Sequence, residues 1–317
     1  MHRLSIIIPH YNSAGNLKLL LDSVLNECED TQIIVVDDNS SEDLDIYDQL
    51  VNEYLDRVVF LKNDTGIKGA GSARNVGLSA SDGEWILFSD SDDHFVPGWY
   101  GIVNEYFDKD YDIVYFNPTS RNISTQEAGK RHLAYSEYVA SYVNSGGDYE
   151  SDHFLRYFYI VPWSKLIRGS MLRDKNISFD EVRYSNDVMF SVKSGFHAKK
   201  ITADTRTIYC VAEGENSLTK DMSEEAWGIR QEVYCKRNLF LREHLEKEDY
   251  SFFRMRIGSF GRLYVAIRRK CGIRNFIKYC RMYRKYKVPT VYSALYSIYK
   301  FFKLLRTGRL RDHAKHW

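Results

Sequence analysis

Trp85-Ile86-Leu87-Phe88-Ser89-Asp90-Ser91-Asp92-Asp93 joins an unbroken apolar run directly to a cluster of carboxylates. A short apolar run without polar alternation reads as a strand covered on both faces, as in a parallel sheet. The same join recurs upstream. Leu4-Ser5-Ile6-Ile7-Ile8-Pro9 stops at His10-Tyr11-Asn12-Ser13, and Ile33-Ile34-Val35-Val36 stops at Asp37-Asp38-Asn39-Ser40-Ser41. A third apolar run occupies residues 57–61. Leu17, Leu20, Leu21, Val24 and Leu25 fall at helical spacing, and a short helix over 73–80 follows a loop holding Gly66, Gly69 and Gly71. A helix around 99–107 and a strand at 113–116 continue the alternation. Strand and helix in turn imply a parallel sheet with right-handed crossovers. The expected fold class is therefore α/β, a mostly parallel central sheet flanked by helices. Such sheets bind ligands at the carboxyl ends of their strands, where the three polar clusters converge.

Beyond this core the pattern weakens over 118–147, regains apolar character at 154–163 and 188–192, and reads as helices after about Ser223, with Pro289 separating two of them. At 317 residues, with 44% hydrophobic and 27% charged residues, the chain has the make-up of a globular protein of one large domain or two joined ones, which excludes wholesale disorder. The 24 Tyr and 17 Phe suit carbohydrate faces, membrane interfaces or simply cores. Five scattered cysteines with no CxxC pair support neither a zinc site nor a disulfide framework. The N-terminal apolar run is too short for a secretory signal, and no stretch approaches the roughly 20 residues that span a bilayer. A cytoplasmic location is the expectation.

Net charge is unevenly placed. Residues 250–311 hold 17 Lys and Arg and no Asp or Glu, so the first 249 residues carry about −16 and the remainder +17. Within 292–311, Leu295, Tyr296, Tyr299 and Phe302 fall at helical spacing beside Lys300, Lys303, Arg306, Arg309 and Arg311. Such a helix suits the surface of an anionic membrane, at roughly 1 kcal/mol per basic residue. The alternatives are packing on the rest of the chain and nucleic acid, although no nucleic-acid reader motif accompanies the charge.

The chemistry centres on Asp90, Asp92 and Asp93. Carboxylates this close repel one another unless a cation neutralises them. Oxygen-only ligands suit a hard divalent ion, Mg2+ or Mn2+, that shares its coordination with phosphate oxygens and water. The bland alternative is a solvated acidic turn. Asp37 and Asp38 end a buried strand in the same way, where one carboxylate can accept from a base or ribose and the other can cap a turn. Gly69-Ala70-Gly71-Ser72-Ala73-Arg74 lacks the third glycine of a dinucleotide fingerprint and does not follow its strand directly, which excludes a Rossmann dehydrogenase. Lys68 and Arg74 flank this loop, placed either to meet a diphosphate or to face solvent.

Four segments in order resemble the inverting family 2 glycosyltransferases of the GT-A fold. They are Leu4 to Asn12, Ile34 to Ser40, Ala73-Arg74-Asn75-Val76-Gly77-Leu78, and Asp90 to Asp93, together covering roughly residues 3–116. The resemblance implies a nucleotide-sugar donor, UDP-linked or similar, a divalent metal and inversion at the anomeric carbon. By it, Asp38 reads the base, Asp90 and Asp92 are the metal-binding pair with Asp93 beside them in the metal site, and Pro9, Tyr11, Lys68, Arg74, Asp90 and Ser91 line the donor. Val161-Pro162-Trp163-Ser164-Lys165-Leu166-Ile167 is similar to the family's Trp-Asn-Lys-Leu segment, with Ser164 in place of Asn. Asn186-Asp187 resembles the Glu-Asp pair; Asn186 departs from it, and Asp187 keeps the place of the catalytic base. The bland role for Asp187 is a helix N-cap. These implications divide the chain into a nucleotide-sugar-binding half (1–116), an acceptor-binding half (117–222) and a helical basic C-terminal region (223–317).

An acceptor hydroxyl needs a base to take its proton as it attacks, and the departing diphosphate gathers charge that cations stabilise. The expected function is transfer of a hexosyl or N-acetylhexosaminyl group to a glycan or lipid-linked acceptor of a surface polysaccharide, on the inner face of the cell membrane. A nucleotidyltransferase is the second reading, but no glycine-rich signature with a lysine follows the first strand. A non-catalytic membrane- or nucleic-acid-binding protein is the third, and it leaves the acid cluster unused.

Overall fold

The computed structural model of the protein describes residues 2–28, 30–214, 221, 223–256, 272–289, 295 and 298. The chain divides into two compact units, Met1–Asp221 and Met222–Trp317.

In the first unit the apolar runs become β1 (Leu4–His10), β2 (Thr31–Asp37), β3 (Val58–Lys62) and β4 (Trp85–Phe88). Between them lie α1 (Ala14–Leu25), α2 (Leu44–Tyr54) and α3 (Ala70–Ala80). After β4 come β5 (His94–Phe95), α4 (Trp99–Asn104), β6 (Ile113–Asn122), α5 (Leu133–Ser145), α6 (Tyr149–Phe158), β7 (Lys165–Arg168), α7 (Gly169–Asp174), α8 (Asn186–His197) and β8 (Ile201–Glu213). Every residue of β1 and β4 is buried, which explains why these strands carry no polar alternation.

One sheet runs in the order β3-β2-β1-β4-β7-β6-β8-β5. Its first four strands are parallel, β7 is antiparallel to both neighbours, β6 and β8 are parallel, and β5 closes the edge antiparallel to β8. Register decides where the site forms. His10 lies level with Asp37, while Phe88 pairs with Ile7, so β1, β2 and β4 deliver their following loops to one edge. β6 runs across the expected 116/117 division, so both halves share one sheet.

No element is read from the sequence at α2, β5, α5, β7, α7 or β8. α2 buries only Leu50 fully, yet Tyr47, Leu50, Val51 and Tyr54 fall at helical spacing, and Tyr47 and Tyr54 pack partly buried against the core, so its apolar stripe is present in the sequence. β8 is thirteen residues long, but its continuous buried stretch is only 208–211.

The second unit holds α9 (Glu224–His244), α10 (Lys247–Arg256) and α11 (Gly272–Lys285). Ser223 caps α9 by accepting the Ala226 N–H at 3.2 Å. Tyr234 and Cys235 pack with Tyr283 and Val288 in a small core of their own. The amphipathic helix expected over 292–311 lies outside the described residues except Leu295 and Ile298, both exposed. Among the described residues no helix is long and apolar enough to cross a membrane.

Candidate active site

The loops after β1 and β2 are stitched together by Asn12. Its side-chain oxygen accepts the Ser41 N–H at 2.8 Å and the Glu42 N–H at 3.2 Å, while its own N–H donates to Ser40 Oγ at 3.0 Å. Next to it, Tyr11 is exposed, and the Lys68 ammonium lies 3.9 Å from its ring centroid. Hydrogen bonding from Lys68 pulls the Tyr11 phenol below its ordinary value. Pro9 is buried in β1. Asp38 is buried, with Asn63 donating to its Oδ1 at 2.6 Å. Asn63 in turn accepts from Thr65 Oγ1 at 2.7 Å and from Ser72 Oγ at 3.3 Å. Ser72 belongs to the first turn of α3, so this chain of hydrogen bonds runs from Asp38 into that helix.

Two residues further along α3, Arg74 reaches the acid cluster. Its guanidinium forms an ion pair with Asp90 Oδ1 and donates to Asn186 Oδ1 at 2.8 Å, with the Phe179 ring 5.2 Å away. Arg74 is only 5% exposed, so this is a buried, directed cation. α3 itself is pinned from the far half of the unit. Asn75 donates to the Phe179 carbonyl at 3.1 Å and accepts the Phe179 N–H at 2.8 Å. Gly71 packs so tightly that an added Cβ would overlap the Asp180 carbonyl oxygen.

The three carboxylates of the acid turn differ. Asp93 is 2% exposed, and both its oxygens are engaged: Tyr209 Oη donates to one and the Ala212 N–H to the other, each at 2.7 Å. Tyr209 also accepts the Asp90 N–H at 2.9 Å, and it stacks on Trp163. Asp93 therefore braces the turn from within, held well above the carboxylate range by burial and by Asp92 and Asp90. Ser91 is buried in the same turn. Asp92 is open to solvent yet hemmed in by protein, and that crowding, with Asp90, pushes it up to about 6. Asp90 is partly open, at 24% side-chain exposure.

Asp187 stands inside the first turn of α8, whose N-cap is Ser185 with φ at 59°, so Asp187 is not the cap. Burial raises its carboxyl, Arg74 opposes that rise, and Asp90 and Arg131 act on it too, which puts all four groups within electrostatic reach. Lys165, 1% exposed, donates to the Tyr159 carbonyl at 2.5 Å, and burial lowers its amine to about 7.

Two groups thus form along one edge: Pro9, Tyr11, Asp38 and Lys68 on one side, and Arg74, Asp90, Ser91, Asp92, Asp93 and Asp187 on the other, linked through α3. Asn75, from the Ala73 to Leu78 segment, belongs with them, as do Arg131 and Tyr209, which carry no local sequence signal because Asp90 lies about 40 and 119 residues away from them. Among the described residues no three His, Cys, Asp or Glu side chains could enclose a metal ion unaided. A Mg2+-type ion needs only one or two carboxylates with phosphate oxygens and water, which fits the mutually repelling Asp90 and Asp92.

The family model described as Glycosyl transferase family 2 matches residues 5–164. The poly(ribitol-phosphate) beta-glucosyltransferase of Bacillus spizizenii is 29% identical over 242 residues, 73% of this chain and 36% of its own length. The chain therefore spans about a third of that relative. The crystal structure of Staphylococcus aureus TarS 1-349 in complex with UDP-GlcNAc superposes with a TM-score of 0.70 at 20% identity, covering 92% of this chain and 83% of that one. The mannosyltransferase PcManGT from Pyrobaculum calidifontis, in complex with GDP-Man and Mn2+, superposes with a TM-score of 0.55 at 14% identity, covering 96% and 87%. These likenesses establish a shared GT-A-like fold.

Proposed function

The chain belongs to glycosyl transferase family 2, and from that premise we propose that it is a glycosyltransferase of surface-polymer synthesis. In this reading it moves a hexosyl or N-acetylhexosaminyl group from a nucleotide-sugar, UDP-linked, to a glycan or lipid-linked acceptor, with inversion and with Mn2+ or Mg2+. The observation that carries the reading is the buried Arg74 guanidinium, bonded at once to Asp90 of the acid turn and to Asn186 beside Asp187.

The roles divide accordingly. Asp38 and Tyr11 receive the nucleoside, and Lys68 lies where the diphosphate passes. Asp90 and Asp92 hold the divalent ion, whose charge when bound offsets that gathering on the departing diphosphate. Asp93 keeps the turn in shape. Asp187 takes the proton of the attacking hydroxyl; its raised pKa brings it nearer the working pH, which favours general-base transfer. A single displacement opposite the leaving group inverts the sugar. The relative named for poly(ribitol-phosphate) supports a cell-surface acceptor, and the +17 charge after residue 249 supports attachment to an anionic membrane.

The test is nucleotide release from a panel of UDP-sugars, with Mn2+ and again after EDTA. Metal-dependent release of UDP from at least one sugar is expected. Release from none of them, by folded protein, contradicts the proposal.

A further inference from the structure

The segment between β6 and α5 carries a cation that the donor motifs do not account for. We propose that Arg131 is a phosphate-binding residue of this site, held beside the acid turn by the carboxylate of Glu213. The inference rests on the transferase reading and adds a residue to it.

Adjacent residues of β8 make the connection. The Ala212 N–H donates to Asp93 Oδ1 at 2.7 Å, fixing β8 to the acid turn. Its neighbour Glu213 uses one oxygen to accept the N–H groups of Lys130 and Arg131, each at 2.6 Å, and the Ser120 hydroxyl at 2.8 Å. The segment is also tied to β6, because Gly129 N–H donates to the Ser120 carbonyl at 2.7 Å and His132 Nδ1 lies 2.7 Å from Ser120 Oγ. A Cβ at Gly129 would overlap the Glu213 carboxylate and Ser120 Oγ, so a larger residue there would displace the bonds that Glu213 makes. These bonds fix the backbone from which the Arg131 side chain leaves.

That side chain is a half-buried guanidinium with no hydrogen bond or ion pair of its own among the described residues. Burial works against its protonated form, while Asp90, then Asp93, Tyr135 and Asp92, favour it, so the acid turn lies within its electrostatic reach although none of the three aspartates pairs with it. Arg74, by contrast, is already committed to Asp90 and Asn186. A planar fork of donors left open near a metal-type carboxylate pair matches a phosphate, which that pair would bring in through the ion. The phosphate belongs either to the donor's diphosphate or to a phosphate-bearing acceptor.

The experiment compares full-length wild type with Arg131→Ala, Arg131→Lys and Glu213→Gln. Affinities in Mn2+ are measured for UDP, GDP, CDP and dTDP, and for the corresponding monophosphates. For the diphosphate that wild type binds best, Arg131→Ala is expected to weaken binding roughly tenfold to a hundredfold, the range for losing a charge-assisted hydrogen bond. The monophosphate should change far less, Arg131→Lys should recover part of the loss, and Glu213→Gln should lose less in the same direction. Unchanged diphosphate affinity with a raised KM for a polyol-phosphate acceptor, but not for a neutral glycan, also supports the assignment and names the acceptor as the source. The assignment is overturned if neither changes, if diphosphate and monophosphate weaken equally, or if only Mn2+ affinity shifts. Wild type that binds none of these nucleotides overturns the transferase reading itself.

Discussion

In residues 1–116 most candidate side chains follow a strand within a few positions, Tyr11 after β1, Asp38 after β2, Asp90 and Asp92 after β4, while Arg74 comes from inside α3. In residues 117–221 the contributions come from the segment before α5 (Arg131), the first turn of α8 (Asp187) and the interior of β8 (Tyr209). A parallel strand buried on both faces marks itself by an apolar run, and its carboxyl end marks the site. A mixed sheet has no such rule, and its side chains reach the site through packing that only the folded chain displays. The two halves therefore differ in how they carry information, and the work assigned to them differs too: most donor contacts in the first, taking the proton in the second, with Arg131 of the second half reaching a phosphate.

The most demanding way to break that division is Asp187→Asn. Transfer is expected to fall about 10²- to 10⁴-fold, as for loss of a general base, while UDP affinity in Mn2+ stays within about twofold. An equal loss of UDP affinity would mean that Asp187 serves the donor instead, and the division would fail. Gly71→Ala probes the seam between the halves, where the added methyl meets the Asp180 carbonyl. Overpacking of this kind costs about 1–3 kcal/mol, read as a melting temperature about 5 °C lower. An unchanged melting temperature would show that α3 and the Phe179–Asn186 segment move apart freely.

Two smaller effects follow from protonation. In the proposed role Asp92 would bind a divalent ion as the carboxylate, and burial with Asp90 beside it pushes its pKa up to about 6. Mn2+ affinity should then rise about tenfold between pH 5 and pH 7 and level off above that. Lys165, in the second half, behaves oppositely to a paired surface lysine. Its unfolded amine keeps the proton to about its ordinary 10.5, the buried one only to about 7, so folding releases a proton between those limits and stability rises with pH across them. Replacing it in Lys165→Met removes this dependence. The variant's stability relative to wild type should fall by about 2–3 kcal/mol from pH 6 to pH 9 in urea titrations. A parallel pH profile in both proteins would mean that Lys165 stays charged in the fold.

What could be read in advance follows the same line. β1, β2, β3 and β4 all appear as apolar runs, and their bounds fall within two residues of the strands found. α1 was visible because six of its residues are buried at helical spacing. The brace on Asp93 was not, since a tyrosine in Ile208-Tyr209-Cys210-Val211 reads only as part of an apolar strand. Nor does the sequence separate Asp93 from Asp90 and Asp92. The three look equivalent until the hydrogen bonds of Tyr209 and Ala212 fill both oxygens of Asp93, Arg74 pairs with Asp90, and Asp92 is left exposed. The charge split was plain to read, but the region that carries most of it lies largely outside the described residues.

The central claim is that Asp90 and Asp92 hold the metal through which the donor is bound and its diphosphate departs. It is tested most directly by titrating Mn2+ into UDP release by wild type and by Asp92→Asn, with folding followed in parallel by circular dichroism. The account predicts that the variant folds as wild type does, loses about a hundredfold or more in rate, and no longer saturates with Mn2+ over the wild-type range. A folded Asp92→Asn that releases UDP at the wild-type rate, with the wild-type Mn2+ dependence, would contradict it.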